Sequence, residues 1–137
     1  MAVLELGAVM SEVDEEIRGL EAALAAGSLV LKPTVDQAIG LANRLMRAFG
    51  ETTGHILDGF DDHSDPLEVF KAFVKGDPSL NAIRDNVREL VYYRNCLESG
   101  REDALPVRPV AMAVRTIRHI YLYMRTRAIK EHGLKGA

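Results

Sequence analysis

The 137-residue chain contains no tryptophan, and only 6% of its residues are aromatic. A core built without large rings must take its volume from Leu, Val, Ile, Met and Ala, residues that suit helices. A single cysteine, Cys96, excludes an intramolecular disulfide and is compatible with a reducing compartment. No apolar run approaches the roughly 18 residues that read as a membrane span. The first residues lack the basic stretch and apolar core of a secretory leader, so a cytoplasmic location is expected and no membrane partner. Sustained alternation of apolar and polar residues is missing, as are Asn-Gly or Asp-Gly hairpins between β-branched runs, which argues against strands. Phosphate-cradling glycine loops, Gly-x-Ser-x-Gly and Cys-x-x-Cys are also lacking. These absences turn the expectation away from an enzyme and from a cofactor.

What is present is helical rhythm. Apolar residues make up 47% of the chain and charged residues 27%, the balance of a globular domain. The length fits one domain over residues 1–137 with a real core. The expected fold is an all-α single-domain helical bundle of four long helices plus one short helix. In the first helix, over residues 3–26, Val3, Leu6, Met10, Val13, Ile17, Leu20 and Leu24 recur three and four apart, a heptad seam. Such a seam pairs within the domain or with a second copy. Leu6, Met10, Val13, Ile17 and Leu20 are accordingly candidate self-association residues, in a homodimer or higher oligomer.

The second helix opens at Thr34 with Gln37 at capping-box spacing. Its stripe, from Val35 through Ile56 and Leu57 to Phe60, holds one phase across Gly50, Gly54 and Gly59, so one long helix is expected. Asp65-Pro66 and Asp77-Pro78 each supply a cap and a first-turn proline, opening a short third and a longer fourth helix. Pro109 starts the fifth, which ends near His132-Gly133.

Charge is unevenly spread. Residues 1–68 hold 13 acids against 4 Lys or Arg, a net −9, while residues 69–137 hold 7 acids against 13 bases, a net +6. Two readings follow: acidic and basic helices attract one another inside the fold, or the basic end meets an acidic partner.

Three sets of residues are candidates for function. Glu51, His55, Asp58 and Asp62, spaced 4, 3 and 4 apart, share a helical face and offer carboxylate and imidazole to a metal. Arg44 and Arg47 lie on the same face, Arg47 and Glu51 have the spacing of an ion pair, and there is no Glu-x-x-His, so no metal is expected. Arg94 falls inside the apolar stripe of the fourth helix and needs either an acceptor or a route outward along Glu98. The fifth helix carries a main apolar seam and a second strip, Ala111, Leu122 and Ile129, with Arg115, Arg118 and Arg125 beside it. A helix facing one core needs a single stripe. Arg94, Arg115, Arg118, Arg125, Leu122 and Ile129 are therefore candidate partner- or phosphate-binding residues, unless the arginines pair with the acidic first helix. The bases around Tyr121 and Tyr123 also make nucleic acid a possible partner, although they wrap around the helix.

Two short segments resemble known families. Tyr92-Tyr93, followed by Ser99-Gly100-Arg101-Glu102 between two late helices, resembles the small helical subunit of type III CRISPR effector complexes, which implies basic residues lining guide and target strands. Arg127-Ala-Ile-Lys-Glu-His132 is similar in spacing to the arginine and histidine of HEPN ribonuclease domains, which implies a helical nuclease. The primary expectation is a non-catalytic, self-associating interaction or assembly protein. Nucleic-acid binding through the basic last helix is the alternative, and a metal-binding or HEPN-like enzyme the second.

Overall fold

The computed structural model describes residues 3–55 and 57–134, with side chains from residue 5 onward. Five α-helices follow in order: α1 (Val3–Ala25), α2 (Leu31–Thr52), α3 (Pro66–Val74), α4 (Arg84–Glu98) and α5 (Pro109–His132). A 3-10 segment, Pro78–Ile83, leads into α4, and a short one, Glu102–Ala104, lies between α4 and α5. There is no strand among the described residues, so the architecture is the all-α bundle that the apolar periodicity predicts.

Central to the bundle is α2, which touches each of the other four helices, while α5 packs on α1, α2 and α4. The seam of α1 lies inside the chain: Leu6, Val13 and Ile17 are fully buried, and Met10 and Leu20 nearly so. They join Leu41, Leu45 and Phe49 of α2 and Ile117, Ile120 and Met124 of α5 in one cluster. Burial of each large side chain is worth about 1.5–3 kcal/mol. These five residues are thus engaged by the domain's own helices, the intramolecular outcome of the heptad pattern. The side chain of Val3 lies outside the described residues.

The second helix differs from expectation at both ends. It starts at Leu31, and Thr34 Oγ1 donates back to the Val30 carbonyl at 2.7 Å instead of capping the helix. It stops at Thr52. The N–H of Thr53 donates to Phe49 and Gly50 carbonyls, His55 N donates to Gly50 O at 2.9 Å, and Gly54 takes φ +92°. The chain then doubles back and lays Leu57 on Gly50. A Cβ at position 50 would stand 2.4 Å from Leu57 Cδ1. Leu57 is buried as its place in the stripe suggests, but a turn delivers it. Ile56 lies outside the described residues.

Both proline starts form. Asp65 Oδ1 accepts from Leu67 N at 3.0 Å to cap α3, and Asp77 Oδ1 accepts from Ser79 N at 3.2 Å. The second of these opens the 3-10 segment rather than α4 itself, which begins six residues later than the cap-proline pattern suggests.

Candidate interaction face on the last helix

The arginines of α5 have separate fates. Arg118 donates from Nη1 to Asp14 Oδ1 at 2.6 Å and from Nη2 to Glu21 Oε1 at 2.9 Å, both on α1, and its guanidinium lies over the Tyr121 ring. The hydrogen bond from Arg118 holds the Glu21 carboxyl below its ordinary range, and the same contacts raise the guanidinium. Arg127 reaches the other way: it donates to Asp77 Oδ2 at 2.9 Å, to Tyr123 Oη at 2.8 Å and to Ser79 Oγ at 3.0 Å, and pairs with Glu131. The attraction between the acidic and basic helices is therefore realised in part within the fold.

What remains outward is sorted. Arg108, Arg115, His119 and Lys130 are exposed. At 100° per residue Arg115, His119 and Lys130 fall in one sector of about 60° on α5, and Arg108 stands at its N-cap. The bases that made the sequence pattern wrap around the helix are largely those used internally. Beside this sector Leu122 is 49% exposed, a large apolar side chain standing in solvent. Ala111 and Ile129, the rest of the second strip, are half-buried.

Leu122 borders a groove of about 420 Å³ between α1 and α5, lined by Asp14, Arg18, Glu21, Arg118, Tyr121, Leu122 and Arg125. Tyr121 is buried beneath it, and burial is the main cause raising its phenol above the ordinary value. Arg18 forms the outer rim on α1, pairing with Asp14 at 3.1 Å while 73% of its side chain stays exposed. Tyr121, one of the two tyrosines among the bases of the last helix, is turned inward here and not toward a nucleic acid. Arg18 lies on a different helix with nothing in the sequence to tie it to α5.

Arg94 is half-buried: its Nε makes no hydrogen bond, and Glu98 Oε1 lies 4.0 Å away. It sits on α4, away from the residues that line the α1/α5 groove.

The carboxylates and imidazole considered for a metal are dispersed, because α2 ends before they can share a face. Glu51 stays on α2. His55 is held by Thr53 Oγ1 at 2.8 Å on Nδ1 and by the Lys75 carbonyl on Nε2. Asp58 is exposed in the following turn. Asp62 accepts from Arg44 Nη2 at 2.9 Å and from Arg47 Nη1 at 3.1 Å. Arg47 thus pairs with Asp62 and not with Glu51, since the reversed chain runs back along α2. No group of three or more potential ligands gathers among the described residues.

The nuclease-like pair is also engaged elsewhere. Arg127 is bonded as above, and the His132 ring packs edge-on against Phe49 with centroids 5.2 Å apart and its Nε2 buried. Of the tyrosine pair on α4, Tyr93 is buried and donates to Glu89 Oε2 at 2.6 Å, while Tyr92 is 48% exposed. Glu89 also accepts from Thr116 Oγ1 at 2.8 Å, joining α4 to α5.

Compared with models of known families, with curated proteins and with solved structures, the chain matches none. No described helix is long and apolar enough to cross a membrane.

Proposed function

We propose that this protein is a non-catalytic interaction module that docks its partner on the outward side of α5. One observation carries the reading: Leu122, half exposed, stands between the α1/α5 groove and a sector of exposed bases. An apolar side chain in solvent at the edge of a groove, with cations beside it, offers a partner an anchor flanked by charge. Self-association through the α1 seam would require Leu6, Met10, Val13, Ile17 and Leu20 to leave the core, so assembly is assigned to α5 instead.

The test is native purification of the tagged chain beside a Leu122→Asp variant. A partner retained in stoichiometric amount by the wild type and lost from the variant is the expected result. Identical sets of retained proteins, or none, would overturn the reading. Sedimentation of the purified chain across a concentration series separates self-association from a foreign partner.

A second reading rests on the clustering of Arg115, His119 and Lys130 in one sector, with Arg108 at the N-cap, a footprint suited to phosphates. Binding of RNA or DNA that weakens steeply with salt would favour it, and no binding at low salt would remove it.

A further inference from the structure

We infer that the α1/α5 groove receives an acidic amphipathic helix from a different protein. The inference rests on the interaction-module reading and names the chemistry of its partner.

One side of α5 carries Ala111, Arg115, Arg118, Leu122, Arg125 and Ile129 at successive spacings of four, three, four, three and four, with Arg115 and Leu122 exposed and the others half-buried. That is the spacing of a heptad seam, the pattern that another helix meets along its length. At 1.5 Å per residue the ladder runs about 27 Å, or five turns. The other seam of α5 is buried in the core, through Val114, Ile117, Tyr121, Met124 and Ala128. Leu122, 49% exposed, opens this ladder to solvent, while Arg118 beside it is held by Asp14 and Glu21 of α1.

Charge selects the occupant. Exposed Arg115, with Arg108, His119 and Lys130 next to it, borders the solvent side of the ladder, while in the groove Arg18 and Arg118 stand against two carboxylates, Asp14 and Glu21. Both carboxylates are already held, Asp14 by Arg18 at 3.1 Å and Arg118 at 2.6 Å, and Glu21 by Arg118 at 2.9 Å. A partner helix with Glu or Asp flanking its apolar strip matches this surplus of cations, and like charges would be rejected.

A second copy does not offer that helix. Among the described residues its exposed large apolar side chains are Val30, Tyr92, Val107 and Leu122. Val30 precedes α2, Val107 lies in the linker before α5, and Tyr92 shares its outward strip on α4 with exposed Arg84 and Arg88. Pairing α5 with α5 sets guanidinium against guanidinium. Nucleic acid leaves the apolar positions Ala111, Leu122 and Ile129 without complement, because phosphates and sugars do not fill an apolar strip.

The probe is a synthetic three-heptad helix with Leu at the a and d positions and Glu at e and g, whose like charges keep it from pairing with itself. Its twin carries Lys in place of Glu. Fluorescence anisotropy measures both against the full chain, and amide chemical shifts map the contact. The acidic helix is expected to bind at least about tenfold tighter than the basic twin, with shifts centred on Leu122 and the facing turn of α1. Leu122→Ala and Arg115→Glu are each expected to weaken it about tenfold. Both positions are solvent-facing, and circular dichroism confirms that the variants fold. Arg115→Glu should in turn narrow the preference for the acidic helix. Equal binding of the two peptides, or binding indifferent to Leu122→Ala, would overturn the inference. A second copy found on this face in place of the peptide would overturn the acidic helix and leave the interaction-module reading standing, and RNA found there would overturn the acidic helix in favour of the phosphate reading. A face that takes none of the three, with no partner retained in native purification, would overturn both.

Discussion

Arg118 Nη1 stands 2.6 Å from Asp14 Oδ1, across 104 residues of sequence, and ties the last helix to the first. Both side chains are about four-fifths buried, at 19% and 21% exposed. The pair is therefore shielded from solvent more than an ordinary surface bridge. It also sets the floor of the groove, because its guanidinium covers Tyr121.

Replacing Arg118 with Gln leaves Asp14 partly desolvated without its cation. We expect a loss of about 1–3 kcal/mol in unfolding free energy by urea titration. A variant as stable as the wild type would show that solvent compensates the carboxylates.

The same contact has a signature in acid. Glu21 is depressed below its ordinary 4.5, chiefly by the hydrogen bond from Arg118. A carboxyl lowered on folding contributes stability that is fully present above its unfolded value and is lost as pH falls through its folded value. The wild type should thus lose stability below about pH 4.5 partly through Glu21, whose half-exposed side chain keeps the effect small. In Arg118→Gln the stability profile should be flatter in that window. Urea midpoints at neutral pH and near pH 3.5 measure it; equal slopes in both proteins would refute the assignment.

At Gly50 a methyl group has no room. Leu57 Cδ1 occupies the place 2.4 Å from an added Cβ, and Leu57 is 1% exposed, so it cannot swing into solvent without emptying the core. Gly50→Ala gains about 1 kcal/mol of helix propensity but forces overpacking that costs about 1–3 kcal/mol. A net loss of stability is expected, and the pair Gly50→Ala with Leu57→Ala should relieve the clash while opening a cavity. A more stable Gly50→Ala would mean that Leu57 repacks freely.

Asn43 is fully buried on α2, and its Nδ2 donates to the carbonyls of Asp62 at 3.2 Å and Ser64 at 2.8 Å. It pins the returning segment that carries Asp62 to Arg44 and Arg47. Asn43→Ala should cost about 1–3 kcal/mol and speed proteolytic cleavage near residues 58–64. Unchanged cleavage would show that the Asp62 ion pairs hold the segment alone.

Much of the fold is legible in residue order. The three-four recurrence from Leu6 to Leu20 decides both that α1 is a helix and which side is apolar, because 3.6 residues per turn brings those positions together. Asp65-Pro66 announces α3 through local chemistry, a carboxylate facing free N–H groups and a ring already at helical φ. The second helix misleads, since Leu57 and Phe60 keep the phase of a helix that has ended. Period alone cannot tell a continued helix from a chain that folds back onto the same core. Gly50 and Gly54 were the available signal, and they acted together: one leaves room for the returning Leu57, the other takes the left-handed turn.

The site divides along the same line. Residue order by itself determined that α5 has a spare strip and a surplus of arginines, because both are properties of one helix. Which arginine is spent was decided only by tertiary structure. Arg118 meets Asp14 and Glu21, and Arg127 meets Asp77, through contacts between residues 50 to 104 positions apart. Charge attraction acts through space, so the partners that neutralise a side chain are set by packing and not by neighbours in the chain.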